Sequence, residues 1–436
     1  MIRRRTRGGN RITRSQRHLL TLASVGLLLL GACVHWPDTT PPDIDVSGQT
    51  IDQLLDRYTD SHRDSDSNME LLIDGPDSYA AFMDLIESAD DHINIETLNF
   101  DDDSGQPRDF SMEFAQLLAD KARSGVEVNL IIDPVMQLAL SSPEIVMVLT
   151  EGGVNYRDFV LPGDWLDDLL MRRTHKKILL VDGRRAIIGG MNYGWLYFGE
   201  NQWRDTNVLV TGPAVASVQR EFLRDWGTLG NDIGDRQRYF PALEATGDLA
   251  IRAIDQRPTQ GDIDLNTAIL IALRSADLAI DIEAPYFNPS EWLAEELLAT
   301  AARGVEVRIL VNSAASLNVE GTFAMMAFWF DLMVDNGVRM FMWDQGAQRT
   351  MHSKAIVVDG KMAMVSTHNL NLRSLVWDAE NGLIFTDPEA VDAVCTMVEA
   401  DFSREWVIEV DRAWLDAVPP EERASWNQVR FWAWLF

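Results

Sequence analysis

The sequence predicts an α/β protein made of two pseudo-symmetric α/β domains, each a mixed sheet flanked by helices, with one site at their interface. Three observations predict it. A nineteen-residue stretch occurs twice with matched spacing, T-H-K-K-I-L-L-V-D-G-R-R-A-I-I-G-G-M-N at Thr174–Asn192 and M-H-S-K-A-I-V-V-D-G-K-M-A-M-V-S-T-H-N at Met351–Asn369. The helices and strands expected before each copy recur in the same order. Short segments also match, Arg123–Val128 against Ala302–Val307 and Ile93–Glu96 against Ile280–Glu283. A repeat of about 180 residues is far longer than a solenoid unit and marks a duplicated domain.

In chain order, residues 1–32 carry seven Arg and no acid, and Leu19–Leu30 is a twelve-residue apolar run ahead of Gly31-Ala32-Cys33. This reads as a secretory signal, too short to span a bilayer. Leu30–Cys33 also resembles a bacterial lipobox, in which Cys33 is acylated and becomes the first residue of the mature protein. Each buried acyl CH2 would then contribute roughly 0.8 kcal/mol of membrane attachment. The chain is thus expected to be exported and membrane-anchored, facing the periplasm. Val34, in place of an Asp, favours the outer over the inner membrane. A plain cleavable signal or an uncleaved anchor is the alternative.

Residues 33–68, rich in Pro, Asp, Ser and Thr, read as a tether with one short helix near Ile51–Tyr58. Domain one is assigned to residues 69–235 and domain two to 236–436, the break falling where Gly, Asp and Pro cluster in Gly230–Asp248. Apolar periodicity places helices at Tyr79–Ser88 and Ser111–Ser124 and strands at His92–Phe100 and Val126–Ile132. The second half repeats this with helices at Asn266–Ser275 and Glu291–Arg303 and strands at Leu278–Tyr286 and Val305–Val311. Phe323–Val334 reads as a helix apolar around most of its girth, and Val429–Phe436 ends F-W-A-W-L-F. Such stripes are core or, where exposed, suit a membrane interface.

Each long stretch reads as a hairpin. Ile178–Val181, an Asp182-Gly183 turn and Ala186–Ile188 form the first; Ile356–Val358, Asp359-Gly360 and Met362–Val365 form the second. Side chains alternate along a strand, so His175 and Lys177 share a face, as do His352 and Lys354. The returning strands bring Asn192 and Asn369 back beside them. With seven His and five Lys in the chain, one H-x-K-x4-D match by chance has an expectation of roughly 0.01.

These two motifs resemble the signature of the phospholipase D superfamily, and within it the bacterial cardiolipin synthases; the likeness runs from about Met69 onward. The resemblance implies a phosphatidyltransferase with its active site between the halves. One imidazole attacks phosphorus to give a phosphohistidine, and the other, on the opposite side, protonates the leaving alkoxide. It makes His175 the nucleophile and His352 the acid/base, which the residues alone leave open. Lys177, Lys354, Asn192 and Asn369 would hold the equatorial oxygens. Asp182 and Asp359 complete the signature but read as turn or salt-bridge residues. Trp203-Arg204-Asp205 and Trp377-Asp378-Ala379-Glu380 resemble the family positions that bond the histidines, so Asp205 and Glu380 are each taken to orient the motif His 28 to 30 residues before it. Gly190 and Thr367 are placed against the phosphate, although Ser366-Thr367 departs from the family's Gly-Ser or Gly-Thr. Arg373, in R-S-L, either grips a headgroup or second phosphate or pairs with an acid of the fold. The scheme calls for no cofactor and no metal, and no H-E-x-x-H or Cys/His cluster occurs.

Net charge is −29, or −36 without residues 1–32. Such a surface repels a phosphate backbone, which disfavours nucleic acid as partner and a nuclease as function. The expected partners are the membrane and its phospholipids: phosphatidylglycerol, with phosphatidylethanolamine as an alternative donor. Phospholipase D hydrolysis to phosphatidic acid uses the same residues, with water replacing the alcohol.

Overall fold

Apolar runs rich in Ile, Val, Leu and Met, bounded by Gly, Asp and Pro, build most of the strands. The computed structural model describes residues 37–161, 171–199, 202–234, 236–319 and 321–429. The strands are β1 (His62–Ile73), β2 (His92–Thr97), β3 (Glu127–Ile132), β4 (Asn155–Asp158), β5 (Ile178–Val181), β6 (Arg185–Gly189), β7 (Thr206–Thr211) and β8 (Leu249–Gln256). They continue as β9 (Ala279–Glu283), β10 (Glu306–Asn312), β11 (Arg339–Trp343), β12 (Ala355–Val358), β13 (Met362–Ser366), β14 (Glu380–Phe385) and β15 (Val407–Val410).

All fifteen lie in one sheet, in the order β15-β11-β10-β9-β12-β13-β14-β8-β1-β7-β6-β5-β2-β3-β4. The duplication is visible in that order. Parallel β2-β3-β4 matches parallel β9-β10-β11, the β5-β6 hairpin matches β12-β13, and antiparallel β7 matches β14. The seam is β1: Asn68–Ile73 pair with β7 of the first half and His62–Ser67 with β8 of the second, across an irregularity between Asp64 and Ser67. The two halves therefore share one sheet rather than holding one each.

That seam corrects the reading of residues 33–68 as a tether for the described part of the segment that carries the helix and the start of β1. Helix Ile51–Tyr58 forms where expected, closed at its start by a Thr50/Gln53 capping box. It is docked, with Leu54 and Leu55 fully buried. Arg252, 1% exposed, donates to Asp52 Oδ1 at 3.1 Å, Asp56 Oδ1 at 2.6 Å and the Ser61 carbonyl at 3.2 Å. The acids that made the segment look solvated are partners of a buried cation 200 residues away, which no local pattern reveals.

One core spans both halves. It gathers Phe222 and Trp226 from helix Val215–Thr228 and Val394, Val398 and Phe402 from helix Pro388–Phe402 against Val208, Val210, Ile251, Leu383 and Phe385. In a second core in the first half, Phe82 meets Phe114, Tyr193 and Phe198 edge to face. The expected helix over Phe323–Val334 is two short helices, Thr322–Ala327 and Phe330–Asp335. Met325, Met326, Ala327, Phe330 and Met333 are buried, so part of this stripe is core, whereas Leu332 is exposed. Among the described residues no helix is long and apolar enough to cross a membrane. The signal, the lipobox with Cys33 and the segment F-W-A-W-L-F lie outside the described residues.

Candidate active site

Both motif histidines enter on short bridges to the other half. The Thr174 segment pairs with Ala379 and the Met351 segment with Arg204. His175 N–H donates to the Ala379 carbonyl at 2.8 Å, and His352 N–H to the Arg204 carbonyl at 2.6 Å. Each histidine is thus delivered beside the acid of the opposite repeat. His175 Nδ1 lies 2.9 Å from Glu380 Oε2, and His352 Nδ1 lies 2.7 Å from Asp205 Oδ2. Asp205 and Glu380 do bond the motif histidines, but each bonds the histidine of the opposite half and not, as expected, that of its own. The pairing is crossed, because the sheet leaves each acid at the start of a strand, β7 or β14, facing the opposite motif.

The lysines repeat this symmetry. Lys177 Nζ donates back to the His175 carbonyl at 2.7 Å, and Lys354 Nζ to the His352 carbonyl. Burial pushes Lys177 down to about 7, with Lys354 adding to the drop while Glu380 and Asp205 oppose it. Burial pushes Lys354 down to about 8 against Asp205 and Glu380. Each ammonium senses both carboxylates, which places the two motifs in one cluster.

Burial also holds His175 below its ordinary value, against the pull of Glu380. It takes His352 to about 3, reinforced by Lys354 and opposed by Asp205. Burial raises the Asp205 carboxyl, but His352 and Lys354 outweigh it and hold the group below its usual range; Glu380 is likewise drawn to about 2 by His175. The resting site has two neutral imidazoles, two carboxylates and two lysines. With Nδ1 of each ring facing a carboxylate, the proton sits on Nδ1 and the Nε2 lone pair is free.

The other predicted residues divide. Asn192 is fixed by Tyr197 OH at 2.9 Å and Thr97 Oγ1 at 3.3 Å. Asn369 is 7% exposed and lines the cavity beside His175, its Oδ1 without a hydrogen-bond partner. Asp182 and Asp359 do not reach the site. Each sits in the hairpin turn, four strand residues from the histidine end, with φ of 54° and 53°. Asp182 accepts from the amides of Asp90, Asp91 and His92 at 2.8–3.0 Å, and Asp359 from Asp277, Leu278 and Ala279 at 2.8–2.9 Å.

Gly190 and Thr367 each sit against one of the acids. A Cβ on Gly190 would lie 2.1 Å from Asp205 Oδ1, so its bare backbone is what admits that carboxylate. Thr367 is fully buried and donates its hydroxyl to Glu380. Arg373 is bound by Asp378 through two nitrogens, at 2.6 and 3.1 Å, and donates to the Met171 carbonyl at 2.5 Å; it also lines the cavity.

Other residues escaped the sequence reading. Trp203, Tyr197 and Tyr286 ring His352 at centroid distances of 5.0, 5.6 and 5.8 Å. Lys176, fully buried on the far face of the motif, bonds Asp225 at 2.6 Å and Asp255 at 2.5 Å, tying a helix of the first half to β8. The only signal for Lys176 was alternation: its neighbours face the site, so it must face away.

Beside His175 opens a cavity of about 390 Å³ with an apolar wall of Leu98, Met136, Val319, Met325 and Met326 and a polar wall that includes Arg173, Asn288, Asn371 and Arg373. Among the described residues no group of His, Cys, Asp or Glu is arranged to hold a metal ion.

Two facing His/Lys sets, each histidine backed by a carboxylate, on a duplicated α/β fold, define an enzyme of the phospholipase D class. Residues 82–226 and 269–406 match the family described as "Cardiolipin synthase, PLD-like domain", and the chain belongs to that family. It is 30% identical over 345 residues to cardiolipin synthase A of Pseudomonas putida, covering 78% of this chain and 69% of that one. It is 27% identical over 341 residues to a probable cardiolipin synthase of Bacillus subtilis, covering 77% and 66%. Its fold is similar to the crystal structure of phosphatidylserine synthase from Haemophilus influenzae, with a TM-score of 0.65 at 15% identity, over 84% of this chain and 95% of that one.

Proposed function

We propose that this chain is a phosphatidyltransferase of cardiolipin synthase type, which passes a phosphatidyl group from one phospholipid to the hydroxyl of phosphatidylglycerol through a phosphohistidine. The crossed carboxylate–imidazole pairs carry the reading, since they leave two Nε2 atoms free in one buried cluster. A bound phosphodiester adds a negative charge to lysines already balanced by carboxylates, and so draws a proton onto one imidazole.

His175 Nε2 attacks phosphorus while the bond to the departing headgroup oxygen breaks, and His352 gives that oxygen its proton. His352, now neutral, takes the proton of the incoming alcohol, whose oxygen attacks phosphorus as the N–P bond breaks. Lys177, Lys354 and Asn369 stabilise the charge on the equatorial oxygens. The apolar wall of the cavity suits the diacylglycerol part of a lipid, and export with acylation at Cys33 would hold the enzyme at its substrate, on the outer membrane by the Val34 argument.

The test is to incubate the purified protein with labelled phosphatidylglycerol, with and without phosphatidylethanolamine, and to separate the lipids. Cardiolipin is the expected product, and an acid-labile phosphatidyl group should be trapped on His175. Phosphatidic acid alone would make the enzyme a hydrolase; no lipid turnover would overturn the reading.

A further inference from the structure

The two halves secure their asparagines by different means. Asn192 is gripped through its side chain by Tyr197 and Thr97. The matching positions in the second repeat are Ser374 and Ala284. Ala284 offers no polar group, and Ser374 Oγ instead accepts from the Asn369 backbone N–H at 3.2 Å. Asn369 lines the cavity, and its buried side-chain Oδ1 has no hydrogen-bond partner.

The support comes from the residue before it. His368, 2% exposed, stands where the first half has Met191. Its Nδ1 accepts from Leu370 N–H at 3.1 Å, and its Nε2 donates to Asn266 Oδ1 at 3.3 Å. Leu370 has φ of 53°, a left-handed conformation that costs a branched side chain roughly 1–2 kcal/mol and needs local support. Asn266 is fully buried and donates to the carbonyls of Leu375 at 2.9 Å and Thr39 at 3.2 Å; its own N–H donates to Gln256 Oε1 at 3.0 Å. Gln256 in turn donates to the Ser374 carbonyl at 2.8 Å. The network thus closes around Asn369, holding residues 368, 370 and 374. Burial, opposed by Glu380 and aided by His175, takes His368 down to about 4, consistent with a neutral ring.

We propose that His368 is a positioning residue for Asn369: held as the Nε2–H tautomer between Leu370 and Asn266, it fixes the left-handed turn that aims the Asn369 amide at the phosphoryl group. This rests on the reading that Asn369 grips phosphate in the transfer reaction.

The experiment compares the full chain with His368→Met, His368→Asn, Asn369→Ala and the His368→Met/Asn369→Ala double variant. It measures kcat and KM for phosphatidyl transfer on phosphatidylglycerol vesicles, and the thermal midpoint of each protein. His368→Met copies the first half, and is expected to lower kcat about tenfold or more with KM within about twofold. His368→Asn keeps a short acceptor for the N–H two residues on, and is expected to return kcat to within about threefold of the parent. The double variant should be no slower than Asn369→Ala, because His368 acts through that residue.

Parental kcat in a folded His368→Met, or additive losses in the double variant, overturns the inference. If His368→Met fails to fold, His368→Asn decides, a tenfold loss counting against the proposal. Parental kcat in Asn369→Ala instead overturns the assignment of Asn369 to the phosphate, and the inference with it.

Discussion

The two halves of the site share a backbone and differ in side chains that change in pairs. In the first half the acid is Asp205, the residue beside it is Gly190, and the asparagine is clamped by Thr97 and Tyr197. In the second the acid is Glu380, one methylene longer; the residue beside it is Thr367, whose hydroxyl donates to the carboxylate. A short acid goes with no Cβ, a longer acid with a hydroxyl. The matched main-chain bonds from His175 to Ala379 and from His352 to Arg204 survive in both. Duplication therefore fixed where the imidazoles meet, and each half then settled its own side-chain partners. Exchanging one member of a pair should do more harm than its chemistry alone suggests.

The largest effect tests whether the halves are equally necessary. His175→Ala and His352→Ala are each expected to lower phosphatidyl transfer by about 10⁴-fold or more, as for members of a unit that act together. Residual activity near the parental level in either variant would mean that one half is dispensable. Next come the acids: Asp205→Asn and Glu380→Gln should cost roughly 10²- to 10⁴-fold in kcat, by analogy with an oriented catalytic imidazole that loses its carboxylate. Double-mutant cycles expose the crossing, with Asp205 coupled to His352 and Glu380 to His175. Coupling within each repeat instead would refute the observed pairing.

A methyl on Gly190 should displace the Asp205 carboxylate and cost about 100-fold, whereas Thr367→Ala removes a single donor and should cost about tenfold or less. Equal losses would erase the distinction drawn between the halves.

Proton release is a smaller lever. Lys177 and Lys354 are held to about 7 and 8, so their ammonium forms are present below those values and disappear above them. The pH profile of kcat/KM is expected to fall on its alkaline side between about pH 7 and 8. A profile flat to pH 10 would remove lysine charge from the account.

The least effect on catalysis belongs to the turn acids. Asp182→Asn and Asp359→Asn should leave kcat within about twofold and lower stability by roughly 1–3 kcal/mol in denaturant unfolding. Three backbone amides outweigh burial and hold the Asp359 carboxyl below its ordinary value. Its contribution is therefore present above about pH 4 and lost as the pH falls through the folded pKa, and Asp359→Asn should flatten that dependence.

Much of this was legible from the chain. Alternation and the Asp-Gly turns placed both hairpins within about a residue of where they lie, because those signals are local and each strand is buried on both faces. The helix Ile51–Tyr58 was visible, but its docking was not, since the partner of its acids is Arg252 on β8. Asp205 and Glu380 stand out through the resemblance of Trp203–Asp205 and Trp377–Glu380 to family positions, but their distance along the chain points to the wrong histidines, because order along the chain carries no information about which strand faces which. His368 and Lys176 were passed over as neighbours of the motif, although burial gives each a fixed set of partners.

The amino-acid sequence by itself determined the duplication, the hairpins and the set of residues carrying imidazole, ammonium and carboxylate, since repeat spacing and the two-residue period of a strand are written along one dimension. Only the tertiary structure decided which acid serves which histidine, what space Gly190 leaves and how Asn369 is held. Those follow from contacts across the shared sheet and around buried polar groups, where partners lie as far as 205 residues apart and hydrogen-bond geometry, not order in the chain, selects them.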